Sequence, residues 1–287
     1  MPRLAYVNGR YTPLSDAQVH VEDRGFQFAD GVYEYWAVLG GKLADADGHL
    51  DRLERSLSEL RIRQPMSRAA LVRVLHETVR RNRFTEGSIY LQVTRGAARR
   101  DHPFPSPSVK PSVIAIARPA DYAAIETRAA QGVGVLTQPD IRWGRCDIKT
   151  VGLLPNILAK QAAREAGAFE AWLVDDAGYV TEGSSTNAWI IDGEGRLRTR
   201  DTEANILRGI TRHTLMRLAS ELQIKVVEEP FTVAEAKGAK EAFFTAASAF
   251  ITPVTTIDGE PVGDGRPGPI SMRLRTLYFE RARQDAL

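Results

Sequence analysis

Lys149 lies in the run Cys146-Asp147-Ile148-Lys149-Thr150-Val151-Gly152-Leu153-Leu154-Pro155-Asn156, with an apolar stretch on its C-terminal side. An amine acts as a nucleophile or base only when deprotonated, and desolvation disfavours its ammonium form. A lysine in such a setting can form a Schiff base with an aldehyde cofactor. The competing reading is a surface lysine beside a buried turn. The chain has seven lysines against 31 arginines, which makes each lysine worth examining. Further along, Val180-Thr181-Glu182-Gly183-Ser184-Ser185-Thr186-Asn187 supplies a carboxylate; by itself Glu182 reads as a loop residue opening a turn at Gly183. Arg52 carries fixed positive charge, and alone it reads as part of a solvated helix face. Gly209-Ile210-Thr211 opens a helical pattern whose free N–H groups and threonine hydroxyl suit a phosphate, as an ordinary helix N-terminus also would. Arg100-Asp101-His102 joins a planar guanidinium fork, suited to a carboxylate, to a directional imidazole donor. Its plain alternative is a basic loop with a histidine bounded by proline.

These groups need a frame. Leu4-Ala5-Tyr6-Val7-Asn8-Gly9-Arg10-Tyr11 predicts two short strands turning at Asn-Gly, and Gly40-Gly41 predicts a second hairpin. Arg24 to Trp36 reads as a loop leading into an aromatic-rich strand. Leu50, Leu53, Leu57 and Leu60 recur at helical spacing and predict a helix over 48–63. Ser67 caps a second helix with Leu71, Val74, Leu75 and Val79 on its apolar face. Strands are expected over 89–94 and 113–117, separated by a Gly- and Pro-rich segment, 95–107, too long and irregular to be a simple connection. The strand pattern stops at 118–127. The later part alternates more densely: strands over 133–137, 171–175, 188–191, 225–228 and 242–245, and helices over 156–166, 209–222 and from Ser271 on. The tail after Arg281 is expected to fray.

In order along the chain, Phe28-Ala29-Asp30-Gly31-Val32-Tyr33-Glu34, His49-Leu50-Asp51-Arg52-Leu53, Asp147-Ile148-Lys149, Thr181-Glu182-Gly183-Ser184-Ser185-Thr186-Asn187 and Ile206-Leu207-Arg208-Gly209-Ile210-Thr211-Arg212 resemble the fold-type IV pyridoxal-phosphate aminotransferases. Each motif is weak alone, but five in register over nearly the whole chain are specific. The resemblance is strongest to the D-amino-acid branch of that family. It implies an α/β (α+β) fold in two domains: a smaller N-terminal one, 1–118, a linker, 119–127, and a larger one, 128–287, with a β-barrel-like core and the Schiff-base lysine.

The resemblance also implies roles. Lys149 matches the Schiff-base lysine, which also moves a proton between substrate Cα and cofactor. Glu182 matches the carboxylate that keeps the pyridine nitrogen protonated, so that the ring accepts electrons. Arg52, Leu207, Ile210 and Thr211 match cofactor-holding positions. In Thr245-Ala246-Ala247-Ser248, alanines replace the serine and threonine of better-known members, leaving backbone N–H groups and Ser248 for the phosphate. Arg100 and His102 match a trap for the substrate α-carboxylate, completed by Tyr33. Trp143, Arg142 and Arg145 border either the cofactor or the side-chain pocket. The loop carrying the trap is built into the partner's active site in this family, which implies a homodimer. The expected reaction is ping-pong transfer of an amino group from D-alanine or D-glutamate to 2-oxoglutarate or pyruvate through pyridoxal 5′-phosphate. Rivals on the same scaffold are a branched-chain L-amino-acid aminotransferase, an R-selective amine transaminase and an aminodeoxychorismate lyase. A pyridoxal-phosphate carrier is the non-enzymatic rival.

Composition narrows the field. A net charge of +2 without a basic tail argues against nucleic-acid binding. One cysteine allows no internal disulfide, and five histidines without HxxxH or HExxH spacing predict no metal. No apolar run reaches membrane-spanning length and no leader pattern opens the chain, so a soluble, cytoplasmic protein is expected.

Overall fold

The computed structural model describes residues 3–203 and 205–287. By packing, the chain forms two units. The first runs to Asp121 and takes in Ile148–Gly152 and Asp285–Leu287; the second comprises Tyr122–Asp147 and Leu153–Gln284.

In the first unit, β1 (Leu4–Val7) and β2 (Arg10–Pro13) turn at Asn8 and Gly9, both at positive φ as a tight right-twisted hairpin requires. A five-residue helix, α1 (Arg24–Phe28), stands where sequence predicts a loop, started by Asp23 accepting from the Gly25 N–H and stopped by left-handed Ala29. Then come β3 (Gly31–Leu39), β4 (Lys42–Leu43), α2 (Ala46–Glu59), α3 (Arg68–Asn82), β5 (Gly87–Thr94) and β6 (Ser112–Pro119). The six strands pair antiparallel in the order β2-β1-β6-β5-β3-β4. Helix α2 stops at Glu59, short of the expected end, because Arg61 takes a left-handed conformation. The leucine stripe holds: Leu50, Leu53 and Leu57 join Leu71, Leu75 and Val79 against Trp36, Ile89 and Leu91 in one core.

The second unit begins with α4 (Tyr122–Gln131), so the stretch expected as a linker is largely helix. It continues with β7 (Val133–Pro139), α5 (Leu154–Glu165), β8 (Glu170–Val174), β9 (Val180–Gly183), β10 (Asn187–Ile191), β11 (Leu197–Thr199), α6 (Ile210–Glu221), β12 (Val226–Glu228), α7 (Val233–Lys237), β13 (Glu241–Ala246), β14 (Phe250–Ile257), β15 (Glu260–Pro261) and α8 (Pro269–Gln284). The strands form one mixed sheet in the order β12-β11-β10-β13-β14-β7-β8-β9, with β15 on β14. Strands β10 and β9 stand five places apart in that order, yet residues 184–186 alone join them. Five flat spacings would be about 24 Å, and three residues reach about 11 Å. The sheet therefore curls strongly, giving the barrel-like core, filled by Trp172, Ile190, Phe231, Phe244 and Val254.

Strand β14 escapes a sequence reading because Pro253 falls inside it, and proline normally marks an edge. Its pairing with β7 starts one residue later, at Val254, so no ladder bond to β7 is lost at the proline. The C-terminal tail does not fray: Leu287 and Leu43 exchange both backbone hydrogen bonds, at 2.8 and 3.1 Å, and Ala286 is buried.

Candidate active site

Lys149 lies in a segment that packs with the first unit, not with the C-terminal portion in which sequence places it. The reason is backbone pairing. The Tyr33 N–H donates to the Lys149 carbonyl at 3.0 Å, the Val151 N–H donates to the Gly31 carbonyl at 3.1 Å, and Val32 bridges Thr150. The segment thus lies along the start of β3, with Ile148 buried in the first core. This anchoring puts Nζ 4.2 Å from the centre of the Tyr33 ring, which in turn packs on Tyr90 at 5.6 Å. Among the described residues no carboxylate lies within ion-pair distance of Nζ. Lys149 is half-buried, so it is neither a fully exposed lysine nor a salt-bridged one.

Arg52 is not on a solvated face. It is buried, its Nε and Nη2 donating to the two oxygens of Glu34 at 2.7 and 2.8 Å, and His49 Nδ1 lies 2.7 Å from the same carboxylate. Glu34 and His49 stand inside motifs visible in the sequence, but their joint burial is a product of α2 packing on β3. Burial pushes the Glu34 carboxyl up, yet the Arg52 charge and the hydrogen bonds from Arg52 and His49 outweigh it and hold the group at about 2. Burial also pushes His49 below its ordinary value, against the pull of Glu34.

Both shifts act in one direction on stability. Glu34 contributes stability that is complete above its ordinary value of 4.5 and is lost as pH falls toward 2; His49, favoured neutral when folded, costs stability once pH drops below 6.5. The thermal midpoint is therefore expected to decline below about pH 6.5 and more steeply below about 4.5. Melting curves across this range check it. In His49→Gln the first part of the decline should shrink, and an unchanged profile would show that His49 does not titrate with unfolding.

Arg100 and His102 are exposed, on the loop between β5 and β6. The Arg100 guanidinium lies 4.9 Å from the Phe28 ring centre, and the His102 ring lies 5.6 Å from it. The structure thus brings these two together on Phe28. Within one chain it does not bring Tyr33 to them: Tyr33 sits against Lys149 and Tyr90 instead.

In the second unit, Glu182 is buried on β9. Asn187 Nδ2 donates to one of its oxygens at 2.9 Å, and the Leu207 N–H donates to both at 3.2 and 3.3 Å. Arg142 Nη1 donates to the other oxygen, while its Nε and Nη2 grip Asp140, which also accepts from Thr181. Burial opposes charge on Arg142, but Asp140 and Glu182 more than offset it and raise its pKa; burial likewise pushes Asp140 up, and Arg142 brings it below the ordinary range. Of the three residues flanking Lys149, Arg142 is committed to Glu182, Arg145 pairs with Asp147, and Trp143 is exposed. Cys146 donates to the Trp143 carbonyl, and burial pushes its thiol up to about 11, which removes it as a nucleophile.

Helix α6 starts at Ile210 with Gly209 as its cap and no side-chain cap bond. The Thr211 hydroxyl is buried with no hydrogen-bond partner among the described residues. A cap without a side-chain bond, the N–H groups that any helix start leaves without intrahelical partners, and an orphaned hydroxyl together fit a phosphate. Gly209 also approaches Asn187 closely: a Cβ there would lie 1.9 Å from Asn187 Oδ1. The residue that holds Glu182 and the turn that opens α6 are thus packed together. Ser248 is exposed in the turn between β13 and β14, whereas Thr245 accepts from Trp189 Nε1 at 3.1 Å.

The family model for amino-transferase class IV matches residues 31–257. The chain belongs to the class IV aminotransferase family. This aminotransferase is 41% identical over 272 residues to a D-alanine aminotransferase of Staphylococcus aureus (strain COL), covering 94% of each chain. It is 40% identical over 269 residues to the D-alanine aminotransferase of Bacillus licheniformis, covering 94% of this chain and 93% of that one. Among solved structures it resembles a branched-chain aminotransferase of Thermoproteus uzoniensis with norvaline, with TM-score 0.85, 27% identity and coverage of 98% and 96%. The branched-chain enzyme of Escherichia coli gives TM-score 0.90 at 25% identity, with coverage of 100% and 97%.

For this aminotransferase, sequence reasoning does not single out Phe28, Glu34, His49 and Asn187, although all four lie inside the five quoted motifs. It places Arg142 at the border of the cofactor or the side-chain pocket, without a link to Glu182. A signal was present for Glu34, His49 and Arg52: three charged or polar positions sharing motifs with the core residues Val32, Leu50 and Leu53 must be paired if buried.

Proposed function

We propose that this aminotransferase transfers the amino group of a D-amino acid, of the D-alanine or D-glutamate type, to a 2-oxo acid such as 2-oxoglutarate or pyruvate, in a ping-pong cycle with pyridoxal 5′-phosphate. The observation that carries this reading is that Arg100 and His102 both rest on the Phe28 ring, a cationic fork and a directional donor with no acidic partner among the described residues. The identity with D-alanine aminotransferases supports it. The branched-chain structures share the fold at lower identity.

The residues fit the cofactor. The α6 N-terminus, through Ile210, Thr211 and the orphaned hydroxyl, would hold its phosphate, together with Arg52 and, from the adjoining turn, Ser248. When bound, pyridoxal phosphate supplies an aldehyde for the amino group and a ring that accepts the electron pair left by the Cα proton. Lys149 would hold the cofactor through its aldehyde at rest, and its Nζ would then carry a proton from the substrate Cα to the cofactor's aldehyde carbon. That Nζ lies on the Tyr33 ring with no carboxylate beside it, so no ion pair ties the amine away from a bound aldehyde. Glu182 would hold a proton at the ring nitrogen; Asn187, Leu207 and Arg142 donate to its carboxylate and fix its orientation for that task. Arg100 and His102, with Tyr33, would bind the substrate carboxylate.

We also infer a homodimer. Val21, Phe26 and Phe104 on the first unit and Leu154, Ile157 and Leu158 on the second are large, apolar and exposed, Phe26 to 77%. A second copy would cover such surface. No helix among the described residues is long and apolar enough to cross a membrane. The 2-oxo acid co-substrates favour a cytoplasmic reaction.

The test is turnover of D- and L-amino acid panels with 2-oxoglutarate. D-alanine and D-glutamate should be the better donors, with the visible cofactor absorbance bleaching on D-alanine addition. Preference for L-leucine or L-valine over every D-amino acid would overturn the reading, and an absorbance that no amino donor changes would leave a cofactor carrier.

A further inference from the structure

We propose that Arg24 and Phe28, one helical turn apart on α1, are positioning residues that present Arg100 and His102 to the substrate carboxylate. The proposal rests on the reading of Arg100 and His102 as carboxylate binders.

The loop from Arg95 to Pro107 is rich in glycine and proline and has no strand or helix of its own, so its conformation has to be imposed from outside. Arg24 imposes it on the backbone. Its side chain is 4% exposed; Nη1 donates to the Asp101 carbonyl at 2.6 Å, Nη2 to the His102 carbonyl at 3.2 Å, and Nε to Asp30 at 2.7 Å. A planar guanidinium that spends three N–H directions on three fixed oxygens sets both position and tilt of those two peptides. Lysine, a point charge on a flexible stem, cannot do the same. Phe28 imposes the conformation on the side chains. Its ring carries Arg24 at 4.7 Å, Arg100 at 4.9 Å and His102 at 5.6 Å.

Helix α1 is itself locked in place. The Asp23 carboxylate accepts from the Gly25 N–H at 2.9 Å and from the Thr94 hydroxyl at 3.0 Å, and the Arg24 N–H donates to the Gly96 carbonyl at 2.9 Å. A side chain at Gly25 would meet Thr94 Cγ2 at 2.3 Å. At the base of the loop, Arg95 grips Asp30 with two bonds and faces the Phe104 ring at 3.6 Å. Asp30 therefore ties Arg24 and Arg95 together, and α1 and the loop move as one piece. The binding pair is ordered before substrate arrives, which spares the ordering cost at binding.

The test compares Phe28→Leu, Phe28→Tyr, Arg24→Lys and Arg24→Met in the holoenzyme, with Arg100→Leu alongside. Three readouts are taken: KM and kcat for D-alanine, calorimetric Kd for propionate as a non-reacting carboxylate, and the bleaching rate with a primary (R)-amine. Phe28→Leu should raise both KM for D-alanine and Kd for propionate about tenfold, with kcat and the amine rate near wild type. Phe28→Tyr, which keeps the ring, should restore both. Arg24→Met should lose at least as much, and Arg24→Lys should not rescue it. In an Arg100→Leu background, Phe28→Leu should add little. If Arg100→Leu loses carboxylate binding while Phe28→Leu and Arg24→Met do not, the positioning role is wrong and the carboxylate reading stands. If Phe28→Leu slows the amine as much as D-alanine, its role is general folding and the inference falls. If Arg100→Leu itself leaves D-alanine and propionate unaffected, the underlying reading has failed and takes this inference with it.

Discussion

Lys149→Ala is expected to lose at least about four orders of magnitude in turnover, because on the proposed reading both covalent attachment and Cα proton transfer would depend on the one amine. The visible absorbance of the attached cofactor should vanish with it. The fold should survive, because what seats residue 149 is backbone: the bond from the Tyr33 N–H to its carbonyl, the neighbouring Val151 to Gly31 bond, and burial of Ile148. Alanine keeps all of these. What it loses structurally is the Nζ contact with the Tyr33 ring, worth about 0.5–1 kcal/mol at a half-exposed site. Steady-state rates, visible absorbance and a melting curve on one preparation check it. Turnover within tenfold of wild type would remove Lys149 from the chemistry. A collapsed melting curve would show that the side chain, not the backbone, holds the segment.

Arg100→Leu is expected to cut kcat/KM for D-alanine by about 30- to 5,000-fold, the equivalent of losing a charge-assisted pair at a desolvated site, about 2–5 kcal/mol. The cofactor absorbance should stay intact. A primary (R)-amine has no carboxylate to lose and should be far less affected. On the proposed reading, a carboxylate anchored by Arg100 and His102 would fix how the Cα hydrogen points, so that a D-amino acid would present it to Lys149 and an L-amino acid would not. Arg100 is exposed and outside both cores, so its replacement should leave the melting curve unmoved. The measurement is kcat/KM for both donors on wild type and variant. Equal losses for both, or none for D-alanine, would mean that the loop does not read the carboxylate, and the substrate assignment would move to another branch of the family.

Much of this protein was open to reading in one dimension. Leucine spacing in α2 and α3, Asn-Gly and Gly-Gly turns and the strand runs around 89–94 and 113–117 are local signals, set by side-chain period and backbone freedom within a few residues. The family motifs, with Lys149, Glu182 and the Arg100-Asp101-His102 triplet, are equally linear. What stayed hidden depends on neighbours distant in sequence. Helix α1 is too short for periodicity to reveal, and its existence rests on Thr94 and Gly96 some 70 residues later. Pro253 argues locally against a strand that β13 and β7 together enforce. The stretch 119–127 gave no sign of α4, which starts at Tyr122, because a helix of weak amphipathicity shows little periodicity.

Residue types and their order were therefore enough to name the groups on offer: an amine, a carboxylate, a helix start suited to phosphate, and an arginine and histidine suited to a carboxylate. Tertiary structure alone decided how each is held. It turned Arg52 from a helix-surface charge into half of a buried pair with Glu34, spent Arg142 on Glu182, and set Lys149 on the Tyr33 ring by pairing its backbone with β3. It also gave Arg100 and His102 a common ring to rest on. The physical reason is that a functional group's type is a property of one residue, whereas its burial, partner and orientation belong to the packed surroundings. Those surroundings are assembled from segments that the chain order keeps apart.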